Sequence, residues 1–281
     1  GAGFWTYVAV ATDDDGAVGA ASVSIAVNPH YAVDVLPLPS VVGSTSKVEV
    51  TGLDDHGRMV GYVNHGAASS TACLWENGGV KRLNALPGDA DARALAIDAE
   101  GNVYGESGPE GGTTRAARWA AGQTNGTDLS AVVGGLTFRS ARGADQAGRI
   151  LVRESGGRSY RLDGGVATIL PLNARGEAIS GAGTTTGYDY SFASPAGWRA
   201  MRWDSGSSST LLSPNTDVGA SASCWGWDIA DSGTVAGITS PSSGGWSTAT
   251  SRATAWLGGS TAFTDLGTLG GPASWASGVN S

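Results

Sequence analysis

The nine residues STACLWENG, at positions 70–78, contain the pattern that decides the fold of this chain. Related segments occur at 114–122, 157–165, 198–206 and 251–259, and each places a large apolar residue shortly before a glycine turn. These apolar residues recur at intervals of 44, 43, 41 and 53 residues, and they are Trp75, Trp119, Leu162, Trp203 and Trp256. A large apolar side chain before a glycine turn predicts a strand that anchors in the core and then reverses.

A second phrase alternates with the first. It reads GLDDHGRMVGY at 52–62, AIDAEGNVYGE at 96–106, GADQAGRILVR at 143–153, NARGEAISG at 173–181 and DIADSGTVAGI at 228–238. Asp, Asn and Gly tolerate turn conformations, so each phrase predicts a hairpin loop. The predicted turn glycines are Gly57, Gly101, Gly148, Gly176 and Gly233. Small residues precede these turns, as at Ala94, Ala96, Ala141 and Gly143, and they favour a crowded inner strand.

A third phrase, such as VKRLNALPG at 80–88 or FTDLGTLGG at 263–271, closes each unit. Each unit then has about four short strands in roughly forty residues, which is the period of a propeller blade. We therefore predict an all-β fold, a β-propeller of six blades, because Gly16 adds a sixth turn glycine. Seven blades is the alternative, since a strand around Ala276 opens another unit. A β-solenoid is the structural rival.

Three segments, FTDLGTLGGPASWASGVNS at 263–281, DSGTVAGI at 231–238 and TACLWENGG at 71–79, resemble the HAF-type extracellular repeat of bacteria. The resemblance covers about residues 31–281. It is strongest in the last unit and poor around 166–180, where about one strand is missing. It implies a secreted or cell-surface bacterial propeller spanning 29–281, and it supplies no catalytic residues.

Residues 1–28 allow two interpretations. They match the repeat, with blade-closing strands around a turn at Gly16, and they also resemble the end of a PKD-type immunoglobulin-like domain with a junction at Asn28–Pro29. We expect Gly1 to be a processed or excised start. Propellers commonly complete one blade with strands from both chain ends, so we expect the C-terminal strand to pair in the same blade as residues 13–27. Strand addition to a neighbouring subunit, as in a surface fibre, is the alternative.

Composition excludes two classes of function. The net charge of −8 argues against a nucleic-acid partner, because phosphate binding needs clustered basic residues. No apolar run approaches the 18 or so residues that a membrane-spanning helix requires. The two cysteines, Cys73 and Cys224, are compatible with a disulfide or with free buried thiols.

The sequence contains no recognisable catalytic constellation. His30, His56 and His65 lack metal-ligand spacing, and no nucleophile elbow is present. Asp13 and Asp15 are weak calcium candidates, but a solvated β-turn is favoured for them. We therefore expect a non-enzymatic protein with no cofactor and no metal, and keep a polysaccharide-active enzyme as the lesser alternative.

Four tryptophans fall outside the repeat register: Trp225, Trp227, Trp246 and Trp275. Trp225 and Trp227 share one face of a strand, because side chains two residues apart do so. They would stack on a sugar or a partner chain, or else fill gaps between blades. The first function predicted is an extracellular or cell-surface scaffold or binding module for other proteins or glycans, including self-assembly through terminal strands. A carbohydrate-binding propeller that uses these tryptophans is the alternative.

Overall fold

The structure is a computed structural model that describes residues 4–12, 18–26, 36–37, 39, 46–66, 69–131, 133, 135–171, 173–190, 197–204, 208–219, 222–241, 250–268 and 270–279. The predictions for Asp13, Asp15, Gly16 and Trp246 lie outside these residues. Within them the regular structure is β-strand, apart from two short 3₁₀ turns at Leu129–Ala131 and Thr216–Val218. The all-β prediction is confirmed.

The strands form one hairpin and five four-stranded antiparallel sheets. The hairpin is β1 Phe4–Thr12 and β2 Val18–Ala26. Sheet I has β3 Lys47–Leu53, β4 Met59–Asn64, β5 Ser70–Glu76 and β6 Gly79–Leu83. Sheet II has β7 Asp91–Ile97, β8 Val103–Gly108, β9 Arg115–Trp119 and β10 Gly126–Asp128. Sheet III has β11 Phe138–Ala144, β12 Ile150–Glu154, β13 Ser159–Asp163 and β14 Val166–Ile169. Sheet IV has β15 Ala174–Ile179, β16 Thr185–Asp189, β17 Arg199–Trp203 and β18 Ser209–Leu211. Sheet V has β19 Ser223–Ile229, β20 Val235–Ser240, β21 Arg252–Trp256 and β22 Thr264–Asp265.

The five sheets surround a common centre. Within each sheet the strand order follows the chain, and the first strands of consecutive sheets contact each other. The ends of all five first strands meet at one cavity, which is lined by Leu53, Ile97, Ala144, Ile179 and Ile229. The first strand of each sheet is therefore the inner strand of a ring.

The hydrophobic core lies between neighbouring sheets. Leu74 and Leu83 of sheet I pack with Val103 and Trp119 of sheet II, and similar clusters join sheets II to III, III to IV and IV to V. The core is therefore a series of separate clusters, one between each pair of neighbouring sheets. This explains why the anchor residues recur once per unit.

The predicted anchors occupy equivalent places in the third strand of each sheet. Their exposed fractions are 2% for Trp75, 0% for Trp119, 3% for Leu162, 1% for Trp203 and 0% for Trp256, in agreement with the burial predicted. Three of the indole Nε1–H groups also donate to a backbone carbonyl that precedes their own sheet in the chain: Trp75 to Pro37, Trp119 to Asn84 and Trp256 to Ser213.

The loops after the inner strands join adjacent sheets. In sheet III, Asp145 accepts hydrogen bonds from the Ala147 and Arg149 amides and from Arg149 Nε. The same arginine donates to the carbonyl of Gly181, in the corresponding loop of sheet IV. Sheet I repeats this arrangement with Asp54 and Arg58.

One predicted turn glycine is wrong. Gly57, Gly101, Gly148 and Gly233 close their loops with positive φ, but Gly176 lies inside β15. Gly183, with φ +82°, closes the loop of sheet IV. The loop begins at Ser180 rather than at an aspartate, so the sequence lacks its usual marker there.

The segment 273–279 extends the ring by one strand position. The Ser274 amide donates to the Ser251 carbonyl, just as the Cys224 amide donates to the Trp198 carbonyl one sheet earlier. On the other side, Leu36 packs against the cluster around Trp75 of sheet I. These residues take places that an inner strand and an outer linker of a further blade would occupy.

The blade number and the closure by both chain ends remain predictions. Five complete sheets are present in the described part of the chain, and there β1 and β2 pair with each other. No backbone hydrogen bond joins this hairpin to residues 273–279 among the residues described.

Both cysteines are free and fully buried, so the free-thiol alternative holds. Burial raises the pKa of each thiol to about 11. Because the thiolate is the reactive species, we expect both to react with Ellman's reagent at pH 8 at least about a hundredfold more slowly than in the urea-unfolded chain. Rates within tenfold of the unfolded chain would show that the sheets open readily.

Candidate functional site

A repeated β-bulge controls which side chains reach the centre of the ring. Every inner strand shifts register against the second strand of its sheet at the same place. This shared shift leaves one residue of each inner strand outside the pairing: Thr51, Leu95, Arg142, Glu177 and Trp227. None of these five residues is buried. Strand β11 has a second shift, which also leaves Arg139 outside the pairing. A bulge redirects a side chain, and here one bulge recurs at the same place in every sheet.

Three of the five bulge residues line one pocket of about 280 Å³. The lining residues are Arg142, Glu177, Tyr188, Trp198, Trp225, Trp227 and Ser277. They come from sheets III, IV and V and from the 273–279 segment, so the pocket depends on the assembled ring. We call it the aromatic pocket.

The charged wall of the aromatic pocket is an arginine–glutamate–arginine group. Arg142 donates to one oxygen of Glu177 over 2.6 Å, and Arg153 donates to the other over 2.7 Å. The Glu177 side chain is only 15% exposed. Burial by itself would raise the pKa of Glu177, but the two guanidinium groups outweigh it and hold the pKa below its usual range. The carboxylate is therefore ionised at neutral pH, and the group carries a net positive charge.

The aromatic wall consists of three interlocked rings. Tyr188 and Trp198 are stacked, with centroids 5.2 Å apart and planes 7° apart. Trp225 meets both of them edge-on, with centroids at 5.4 Å from Trp198 and 6.4 Å from Tyr188. Trp225 is buried, whereas Tyr188 and Trp198 are partly exposed. Burial and the nearby Glu177 carboxylate raise the pKa of Tyr188, so its hydroxyl stays protonated.

A polar cleft of about 340 Å³ adjoins the aromatic pocket and shares Arg142 with it. We call it the arginine cleft. Four guanidinium groups line it, from Arg139, Arg142, Arg153 and Arg175. Arg175 lies over the ring of Tyr190 at 5.4 Å.

The cavity at which the five inner strands end is acidic. It has a volume of about 440 Å³ and is bordered by Asp54, Asp55, Asp98, Asp145 and Asp231. Asp54, Asp98 and Asp145 are held by hydrogen bonds within their own loops. No group of three or more possible metal ligands occurs among the described residues.

The structure places three of the four off-register tryptophans, since Trp246 lies outside the described residues. Trp227 and Trp225 both line the aromatic pocket, but the burial of Trp225 makes it a support for Trp198 and Tyr188 instead of a contact surface. Trp275 is 54% exposed and lies outside the pocket lining. Sequence reasoning missed Arg142, Glu177, Tyr188 and Trp198 as pocket residues. The shared register of the five bulge positions is the signal that would have found Arg142 and Glu177.

Comparison with known proteins assigns the fold. No protein-family model and no curated protein match the chain. A putative TolB from Agrobacterium tumefaciens is similar, with a TM-score of 0.55 and 11% identity over 80% of this chain and 82% of that one. TolB from Acinetobacter baumannii has a TM-score of 0.53 and 12% identity, over 76% of this chain and 53% of that one. A puromycin hydrolase mutant has a TM-score of 0.54 and 11% identity, over 93% of this chain and 41% of that one.

The chain therefore has a fold of the β-propeller class. At these identities the likeness concerns the fold alone, since one propeller scaffold supports many functions. No helix in the part of the chain that the structure describes is long and apolar enough to cross a membrane.

Proposed function

We propose that this protein is a non-enzymatic, extracellular binding module that binds a saccharide in the aromatic pocket. The observation that carries the proposal is the set of partly exposed rings, Tyr188, Trp198 and Trp227, beside hydrogen-bonding charged groups. Sugars present apolar faces edged by hydroxyls, and rings with a few placed polar groups match that pattern.

The charges in the pocket favour binding over hydrolysis. Glycoside hydrolysis ordinarily needs a pair of carboxyl groups, one of them protonated as the general acid. Glu177 is the only carboxylate among the described residues that line this pocket, and two arginines keep it ionised. It is thus suited to hold the arginines in place rather than to donate a proton.

An extracellular bacterial location and glycan or protein partners rest on the HAF-type resemblance of residues 31–281. Self-assembly through the terminal strands is part of the same hypothesis. Cell fractionation of the native protein tests the extracellular location, and sedimentation analysis tests the self-assembly.

The proposal predicts that Trp227→Ala weakens saccharide binding by about tenfold or more, because tryptophans in binding sites commonly contribute more than about 1.4 kcal/mol. Affinity is measured by calorimetry with the best ligand from a glycan array. Trp198→Ala is a second variant in the same pocket.

Trp275→Ala is the matched control, since it removes an exposed indole outside the pocket. Melting curves of each variant separate loss of the site from loss of the fold. Equal affinity of the folded Trp227→Ala and Trp198→Ala variants and the wild type would exclude the aromatic pocket as the site.

A further inference from the structure

We infer that the saccharide is acidic: its carboxylate binds in the arginine cleft while a neighbouring sugar ring lies in the aromatic pocket. This inference rests on the proposed function. It adds the chemical class of the ligand and a second contact region.

The two spaces adjoin each other at one residue. Arg142 lines both of them, and Arg153 lines the arginine cleft while it bonds to Glu177 of the aromatic pocket. The two volumes, about 280 and 340 Å³, together lie in the range of sites for small molecules. A chain of linked sugars would pass from one to the other.

The balance of charge in the arginine cleft favours an anion. Three carboxylates face its four guanidinium groups, from Glu106, Glu154 and Glu177. Two of them are already engaged by arginines outside the cleft, Glu106 by Arg93 and Glu154 by Arg158. Glu177 alone serves both Arg142 and Arg153. The cleft is therefore electropositive within a protein of net charge −8.

Of the two arginines of the cleft that form no ion pair among the described residues, Arg139 and Arg175, Arg175 is the more buried. It forms no ion pair within the described residues, and its Nε is buried without a hydrogen-bond partner there. A partly buried charge without a counter-charge is costly. A carboxylate matches the planar fork of a guanidinium, so a bound uronic acid would offset that cost.

The test uses calorimetry of the full chain with trimers of galacturonic, mannuronic and glucuronic acid, each as the free acid and as the methyl ester. Esterification removes the charge and keeps the sugar ring. We expect at least one free acid to bind about tenfold or more tightly than its ester, with the difference falling as salt rises. Arg175→Gln should remove most of that preference, while Arg82→Gln, on the exposed strand β6, should leave it unchanged.

The outcomes separate this inference from the proposed function. If acids and esters bind equally, or if only neutral saccharides bind, and this binding depends on Trp227, the ligand is not an acidic saccharide. The proposed saccharide site is then still supported. A sulfated neutral trimer that binds when no uronate does overturns the carboxylate assignment. If no saccharide binds, both proposals fail.

Discussion

Gly237→Ala is expected to destabilise the protein by about 3 kcal/mol or more, the upper end of the usual cost of overpacking. A Cβ at this position would lie 1.9 Å from the carbonyl oxygen of Trp225, a backbone atom that cannot rotate away. Gly237 sits in the second strand, opposite the bulge of the inner strand. The same close approach occurs at Gly61, Gly105 and Gly187. Urea unfolding followed by circular dichroism measures the loss.

Gly79→Ala is the matched control for this substitution. Gly79 also lies in a strand, but a Cβ added there would be 3.6 Å from its nearest neighbour, the carbonyl oxygen of Glu76, which is an ordinary contact distance. Its expected effect on the free energy of unfolding is within about 0.5 kcal/mol. Equal effects at positions 79 and 237 would mean that the bulges do not bring the first two strands of sheet V so close together.

Trp256→Ala should cost about 3–5 kcal/mol, the usual range for a buried large aromatic. The indole is fully buried and its Nε1–H donates to the Ser213 carbonyl over 2.7 Å. The variant therefore leaves a cavity between sheets IV and V together with a carbonyl without its partner. Unfolding in urea, with the midpoint and slope fitted separately, measures this loss.

Trp203→Phe and Trp256→Phe together separate packing from hydrogen bonding. Trp203 is equally buried, but its Nε1 has no partner among the described residues. Trp256→Phe should therefore cost about 1 kcal/mol more than Trp203→Phe, the net contribution of one hydrogen bond. The reverse order would contradict the assignment of these bonds.

The repeat in the sequence was sufficient to predict the fold class, because each unit buries its own anchor. Each hydrophobic cluster of the core needs one large side chain, so the anchor tryptophans recur along the chain: Trp75, Trp119, Trp203 and Trp256. Gly176 misled the assignment of a turn, since sheet IV begins its loop with Ser180. Sequence spacing alone does not distinguish a glycine in a crowded strand from one in a turn.

The aromatic pocket was only partly predictable. Trp227 stands out in the sequence because it lies outside the repeat register, whereas Arg142 and Glu177 have no such mark within a single unit. A bulge is defined by pairing between strands, so its effect on side-chain direction is absent from a single strand's sequence. Trp198 and Trp225 pack together only because sheets IV and V are adjacent.

The most direct measurement is a crystal structure of the protein with a uronic acid trimer that binds in calorimetry. We predict a carboxylate in the arginine cleft, within hydrogen-bond distance of Arg142 or Arg175. We also predict a sugar ring against Trp198 or Trp227. A trimer bound instead at the exposed Trp275, or in the acidic cavity at the ends of the inner strands, would contradict the assignment of the aromatic pocket and the arginine cleft as the binding site.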